Sequence, residues 1–103
     1  MTMKAVLAGT VIAEADESEL ISIEGNWYFP LSSVKDGVLV DSPTPYTCPW
    51  KGEAQYHSAI VGGETHADAA WGYPNPYPTA FERLGKDISG HIAFDPRQVE
   101  VGP

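Results

Sequence analysis

Two separated stretches hold most of the residues able to do chemistry. Thr-Cys-Pro-Trp-Lys-Gly (47–52) places the one cysteine, Cys48, beside Trp50 and Lys51, the latter one of only six basic residues. Trp71 followed by Gly-Tyr-Pro-Asn-Pro-Tyr-Pro (72–78) carries a second tryptophan and Tyr73. Trp50, Trp71 and Tyr73 offer flat π faces that stack on a ring or surround a cation. Lys51 supplies an ammonium for a carboxylate or phosphate. Pro49, Pro74 and Pro76 stiffen both stretches, which lowers the ordering cost of binding. A thiolate at Cys48 stabilised by Lys51 would be a nucleophile, with His57 or His91 as the base. Against these readings stand simpler ones: buried tryptophans filling a core, a lysine lying along an indole, and a cysteine packed as a small hydrophobe.

These stretches are positioned by a β hairpin. Gly62-Gly63 lies between Gln-Tyr-His-Ser-Ala-Ile-Val (55–61) and Glu-Thr-His-Ala-Asp-Ala-Ala-Trp (64–71), a two-residue turn signal because primed turns need positive φ. Counting outward pairs Val61 with Glu64, Ala59 with His66, His57 with Asp68 and Ala54 with Trp71. Alternation assigns Ala54, Tyr56, Ser58, Ile60, Thr65, Ala67, Ala69 and Trp71 to the core face. The opposite face is then the wetter one, with His57, His66 and Asp68 in cross-strand reach. Two imidazoles and a carboxylate are a candidate metal set, and a solvated His–Asp pair is the alternative. The same count carries 47–52 and 72–78 to the open end of the hairpin, where Lys51 approaches Pro74 and Gly52 lies opposite Tyr73.

Other turn signals are Gly25-Asn26, between 20–24 and Trp-Tyr-Phe (27–29), and Gly9-Thr10, between Ala5–Ala8 and Val11–Ala13. Short strands are expected at Val38–Asp41, His91–Phe94 and Gln98–Val101. Nine prolines exclude a long helix. The one helical candidate is Pro78–Leu84, with Thr79 as N-cap and Gly85 as the stop. The chain therefore reads as one mainly β domain, 1–103, of antiparallel hairpins with at most one short helix.

Composition narrows the function. Hydrophobic residues make up 43% and charged residues 19%, so a core can form. Fourteen acids against six bases give a net charge of −8. That sign repels phosphate backbones and anionic membranes, so neither nucleic acid nor a membrane is an expected partner. No apolar run is long enough to span a bilayer. The first eight residues are too short for a signal peptide, and a lone thiol suits the cytoplasm. One cysteine excludes a multi-cysteine zinc site, and no Gly-rich phosphate loop is present, so no cofactor is expected.

Trp-Tyr-Phe-Pro (27–30), Ser-Pro-Thr (42–44), Thr-Cys-Pro-Trp-Lys-Gly-Glu-Ala-x-Tyr (47–56), Asp-Ala-Ala-Trp-x-Tyr-Pro-x-Pro (68–76) and Ile-Ser-Gly-His-Ile-Ala-Phe (88–94) together resemble the bacterial domain-of-unknown-function family number 427. The resemblance implies a β-tent of two antiparallel sheets, pinned at one edge and splayed at the other, and function within 47–52 and 71–76. It also implies likeness to the ligand-binding domain of cereblon, which holds a small cyclic ligand in an aromatic cage. The zinc of such relatives is not implied here, because their paired Cys-x-x-Cys motifs are missing. A nucleotidyltransferase activity, nominally attached to the family, would call for closely spaced metal-binding carboxylates and a Gly-Ser turn. Glu17-x-Glu19 without a Gly-Ser pair does not match that pattern. The expected function is binding of a small anionic or cyclic molecule by Trp50, Lys51, Trp71, Tyr73 and Tyr28, with Phe29 in the floor. The alternatives are an enzyme using Cys48 or Lys51, and a protein-interaction module with exposed aromatics.

Overall fold

The computed structural model describes residues 1–103. Its strands are β1 (Thr2–Leu7), β2 (Thr10–Asp16), β3 (Ile21–Ile23), β4 (Asn26–Pro30), β5 (Leu39–Asp41), β6 (Thr47–Cys48), β7 (Gly52–Glu53), β8 (Gln55–Val61), β9 (Glu64–Gly72), β10 (His91–Phe94) and β11 (Val99–Gly102). One α-helix, α1, spans Pro78–Leu84. The fold is mainly β and antiparallel, as the hairpin signals require. The strands form a six-stranded sheet in the order β3-β4-β10-β9-β8-β5, a three-stranded sheet β11-β1-β2, and a ribbon β6-β7. The ribbon is a third sheet beyond the two expected.

Local chemistry explains most boundaries. Glu24 and Gly25, both at positive φ, make the β3–β4 turn, one residue before the expected Gly25-Asn26. Ala8 and Gly9 likewise replace Gly9-Thr10. Helix α1 begins with proline at its first turn and ends on Gly85 in the left-handed conformation. Thr79 does not cap it; its hydroxyl donates to the Trp50 carbonyl at 2.6 Å.

The large sheet is covered on both faces. On one face Phe29, Ala59, Ala70, Ile92 and Phe94 pack against Ala5, Leu7, Ile12 and Ala13 of the three-stranded sheet. Phe29 and Phe94 meet edge to face, centroids 5.5 Å apart and planes at 72°, the arrangement their quadrupoles favour. On the other face a second core joins Tyr28, Tyr73, Cys48, Ile88 and Ala93, with Trp50 and Trp71 against it.

The expected face assignment of the β8–β9 hairpin holds only at its open end, where Ala69 is fully buried and Ala54 and Trp71 pack against the second core. Ala59 and Ala70, assigned to the wetter face, are fully buried, whereas Ile60, Thr65 and Ala67 are exposed. Alanines and isolated polar residues occur on both faces of this hairpin, so alternation alone does not orient it; the apolar sheet that covers one side does. The pairing Val61–Glu64 and Ala59–His66 is as counted. Beyond it the register shifts, so that His57 pairs with Ala70 and Tyr56 with Trp71. Ser58 alone then spans Ala67, Asp68 and Ala69, a β-bulge that holds Asp68 at φ 51°.

Removing the Phe29 ring empties the centre of the main core. Phe29→Ala is expected to lower the unfolding free energy by about 3–5 kcal/mol in a urea titration. A loss below about 1 kcal/mol would mean that the sheets do not depend on this pair.

Candidate functional site

The two motif stretches meet at the open end of the hairpin, though the shifted register brings Lys51 to Tyr77 and Gly52 to Asn75 rather than to Pro74 and Tyr73. The Tyr77 N–H donates to the Lys51 carbonyl at 3.0 Å, and a Cβ on Gly52 would lie 3.2 Å from the Asn75 carbonyl oxygen. Gly52, at φ 118°, is therefore confined by both conformation and close approach. Tyr28, Cys48, Trp50, Lys51, Trp71 and Tyr73 share the second core.

That neighbourhood is filled with side chains. Cys48 is 5% exposed and Lys51 only 6%. The Lys51 ammonium pairs with Glu24 of the β3–β4 turn. It lies 5.1 Å from the Trp50 ring centre and 5.3 Å from that of Tyr73. Burial disfavours its charge, but the hydrogen bond and charge of Glu24 outweigh burial, and Lys51 titrates above its ordinary value. Arg83 of α1 covers Trp50, its guanidinium 4.9 Å from the ring centre. The Tyr28 phenol is pushed up by burial and accepts from the Trp71 indole N–H at 3.2 Å. Burial likewise raises Tyr73 strongly. In this arrangement Lys51 is an internal cation held by a carboxylate and two rings.

His57, His66 and Asp68 are not drawn together, and no group of three His, Cys, Asp or Glu side chains has metal-binding geometry. His57 Nδ1 lies 3.3 Å from Asp41 Oδ1, off the hydrogen-bonding direction. Burial lowers its affinity for a proton and Asp41 partly restores it. His57 lines a separate small cleft of about 130 Å³ with Tyr73 and Ile92. Asp68 is carried away by the bulge.

The bulge builds the largest cleft, about 500 Å³, lined by Thr44, Tyr56, Asp68, Trp71, Asp95 and Arg97 among others. Three backbone groups of the bulge have partners outside the β8–β9 ladder. The Asp68 N–H donates to Ser58 Oγ at 3.2 Å. The Ala67 carbonyl accepts from Gln98 Nε2 at 3.0 Å, and the Ala69 carbonyl accepts from the Asp95 N–H at 2.8 Å. The Asp68 carboxylate accepts from Ser42 Oγ at 2.5 Å and Thr44 Oγ1 at 2.7 Å. Opposite it, Asp95 accepts from Arg97 Nε at 3.1 Å, Arg97 Nη2 at 3.2 Å and Gln98 Nε2 at 3.0 Å. Burial would raise Asp95, but these hydrogen bonds hold it below the usual carboxylate range. The Arg97 side chain is 88% exposed. Trp71 and Tyr56 are tilted neighbours, 6.2 Å apart.

Asp95 and Arg97 escaped the sequence reading. Their signal was the Asp-Pro-Arg-Gln turn (95–98) between two short strands. Of the expected binding residues, Trp71 lines this cleft and Tyr73 the His57 cleft, while Trp50, Lys51 and Tyr28 lie in the second core.

A small antiparallel β domain with a cleft at a bulged central strand is thus the class of protein defined here. A family model described as a domain of unknown function, DUF427, matches residues 1–102, and the chain belongs to that family. No curated protein matches it. No helix is long and apolar enough to cross a membrane.

Two outcomes test this site. Glu24→Asn keeps a residue tolerant of positive φ but removes the partner of a buried ammonium. It is expected to lower stability at pH 7 by about 1 kcal/mol, the exposed carboxylate limiting the effect. Lys51→Met added to it should recover most of the loss in the same chemical denaturation. Because the folded lysine titrates above its ordinary value, the pair contributes fully at pH 7 and less as pH rises through the folded value. Separately, Cys48 in the native protein is expected to react with a thiol reagent only at the rate of opening, and fully after denaturation. Rapid native labelling would expose it as an accessible nucleophile.

Proposed function

We propose that this domain binds a small cyclic molecule in the cleft between the β9 bulge and the β10–β11 turn. One observation carries the reading: Asp68 is held at positive φ, with its carboxylate oriented by two hydroxyls, beside two aromatic side chains. A non-glycine residue kept in a sparsely populated conformation by surrounding bonds points to a role beyond folding. Tyr56 and Trp71 supply flat contact area, and Thr44, Asp68, Asp95 and Arg97 supply directional groups, the usual make-up of a small-molecule site. The proposed partner is a metabolite rather than nucleic acid or a membrane, in keeping with a net charge of −8.

The test is an NMR screen of single-ring fragments against the labelled protein. Shifts are expected to concentrate on Tyr56, Asp68, Trp71 and Arg97. Asp68→Asn should weaken the best fragment about tenfold, while Glu17→Ala leaves it unchanged. Shifts concentrated around Trp50 and Lys51, or equal loss from both substitutions, would overturn the reading.

A further inference from the structure

We propose that the molecule taken by this cleft is a small organic cation, an amine or quaternary ammonium attached to a ring. The inference rests on the cleft being the binding site and goes further by assigning the charge of its occupant. Two carboxylates, Asp68 and Asp95, and a single cation, Arg97, line it. Arg97 is already committed to Asp95 through Nε and Nη2, so that pair is neutral as a unit. The Asp68 carboxylate is stabilised only by the neutral hydroxyls of Ser42 and Thr44, which orient it and leave its charge uncompensated. The cleft therefore carries a net negative charge within a protein of −8. The aromatic walls add to this, because the faces of Tyr56 and Trp71 attract cations.

Tyr56 agrees with this reading: its phenol is pushed up first by burial and then by Asp68, Tyr46 and Asp95, with Arg97 opposing them. Lys51, the expected anchor for an anion, is enclosed in the second core with Glu24, so it does not offset this field by pairing with a ligand.

Three probes of nearly equal shape separate the charge classes at pH 7: benzylamine (cation), benzyl alcohol (neutral) and benzoate (anion). Each is titrated by NMR, following Trp71 and Asp68. Benzylamine is expected to bind roughly three- to tenfold more tightly than benzyl alcohol, and benzoate most weakly. Raising salt from about 0.02 to about 0.3 M should weaken benzylamine and leave benzyl alcohol unchanged. Arg97→Gln, a change at an exposed side chain, should tighten benzylamine, and Asp68→Asn should reduce it to the level of benzyl alcohol. If benzoate binds best, if the three bind alike, or if Arg97→Gln weakens benzylamine, the assignment of charge is wrong and the cleft remains a site. If none of the three shifts Trp71 or Asp68, the cleft itself is refuted as the site.

Discussion

The architecture depends on how β9 is paired. It runs through the middle of the large sheet, bonded to β8 on one side and β10 on the other. It is also the strand that departs from regular register, where three residues face Ser58. A central strand has no solvent edge at which to lose hydrogen bonds harmlessly, so each group released by the irregularity needs a replacement. Ser58, Gln98 and the Asp95 amide provide it for the Asp68 N–H and the Ala67 and Ala69 carbonyls. The β10–β11 turn is thereby tied to β9, and the cleft lies between the two.

The register shift also explains why Ala69 and Ala70 are both fully buried. In a regular strand, neighbours point to opposite faces. Here the bulge turns Ala69 toward the main core while Asp68 is taken up by Ser42 and Thr44 on the other side. The second core makes a different compromise. It encloses an ammonium, and the electrostatic cost of burial is offset by Glu24 and the two rings. Glu24 sits in a tight turn at positive φ, so turn geometry and charge placement in β3–β4 are linked to the ribbon from which Lys51 projects.

Much of the fold was legible from glycine and proline. The Gly62-Gly63 turn fixed the first pairs of β8–β9, and Pro78 and Gly85 bounded α1 at the residues observed. The meeting of 47–52 with 72–78 followed from that count even though the register later shifts, because both segments lie past the end of the same hairpin. Orientation was not legible: alanines at 54, 59, 67, 69 and 70 suit either face. The bulge was hidden because aspartate within a β-rich run carries no local mark of left-handed backbone. The Lys51–Glu24 pair joins residues distant in sequence, and nothing near Lys51 names its partner. Counting strands located the aromatic residues but did not distinguish a lined hollow from a packed interior.

The margins of the sheets are short or occupied. At the two sides of the six-stranded sheet, β3 and β5 are three residues each. In the smaller sheet the long outer strand β2 is engaged by the next segment, through the Ala13–Val34 bridge and the bond from the Lys35 N–H to the Ile12 carbonyl at 2.8 Å. Unpaired strand margins are templates on which further chains recruit one another into fibrils. At β2, β3 and β5 little backbone is left on offer, and the four residues of β11 form the other outer strand of the smaller sheet.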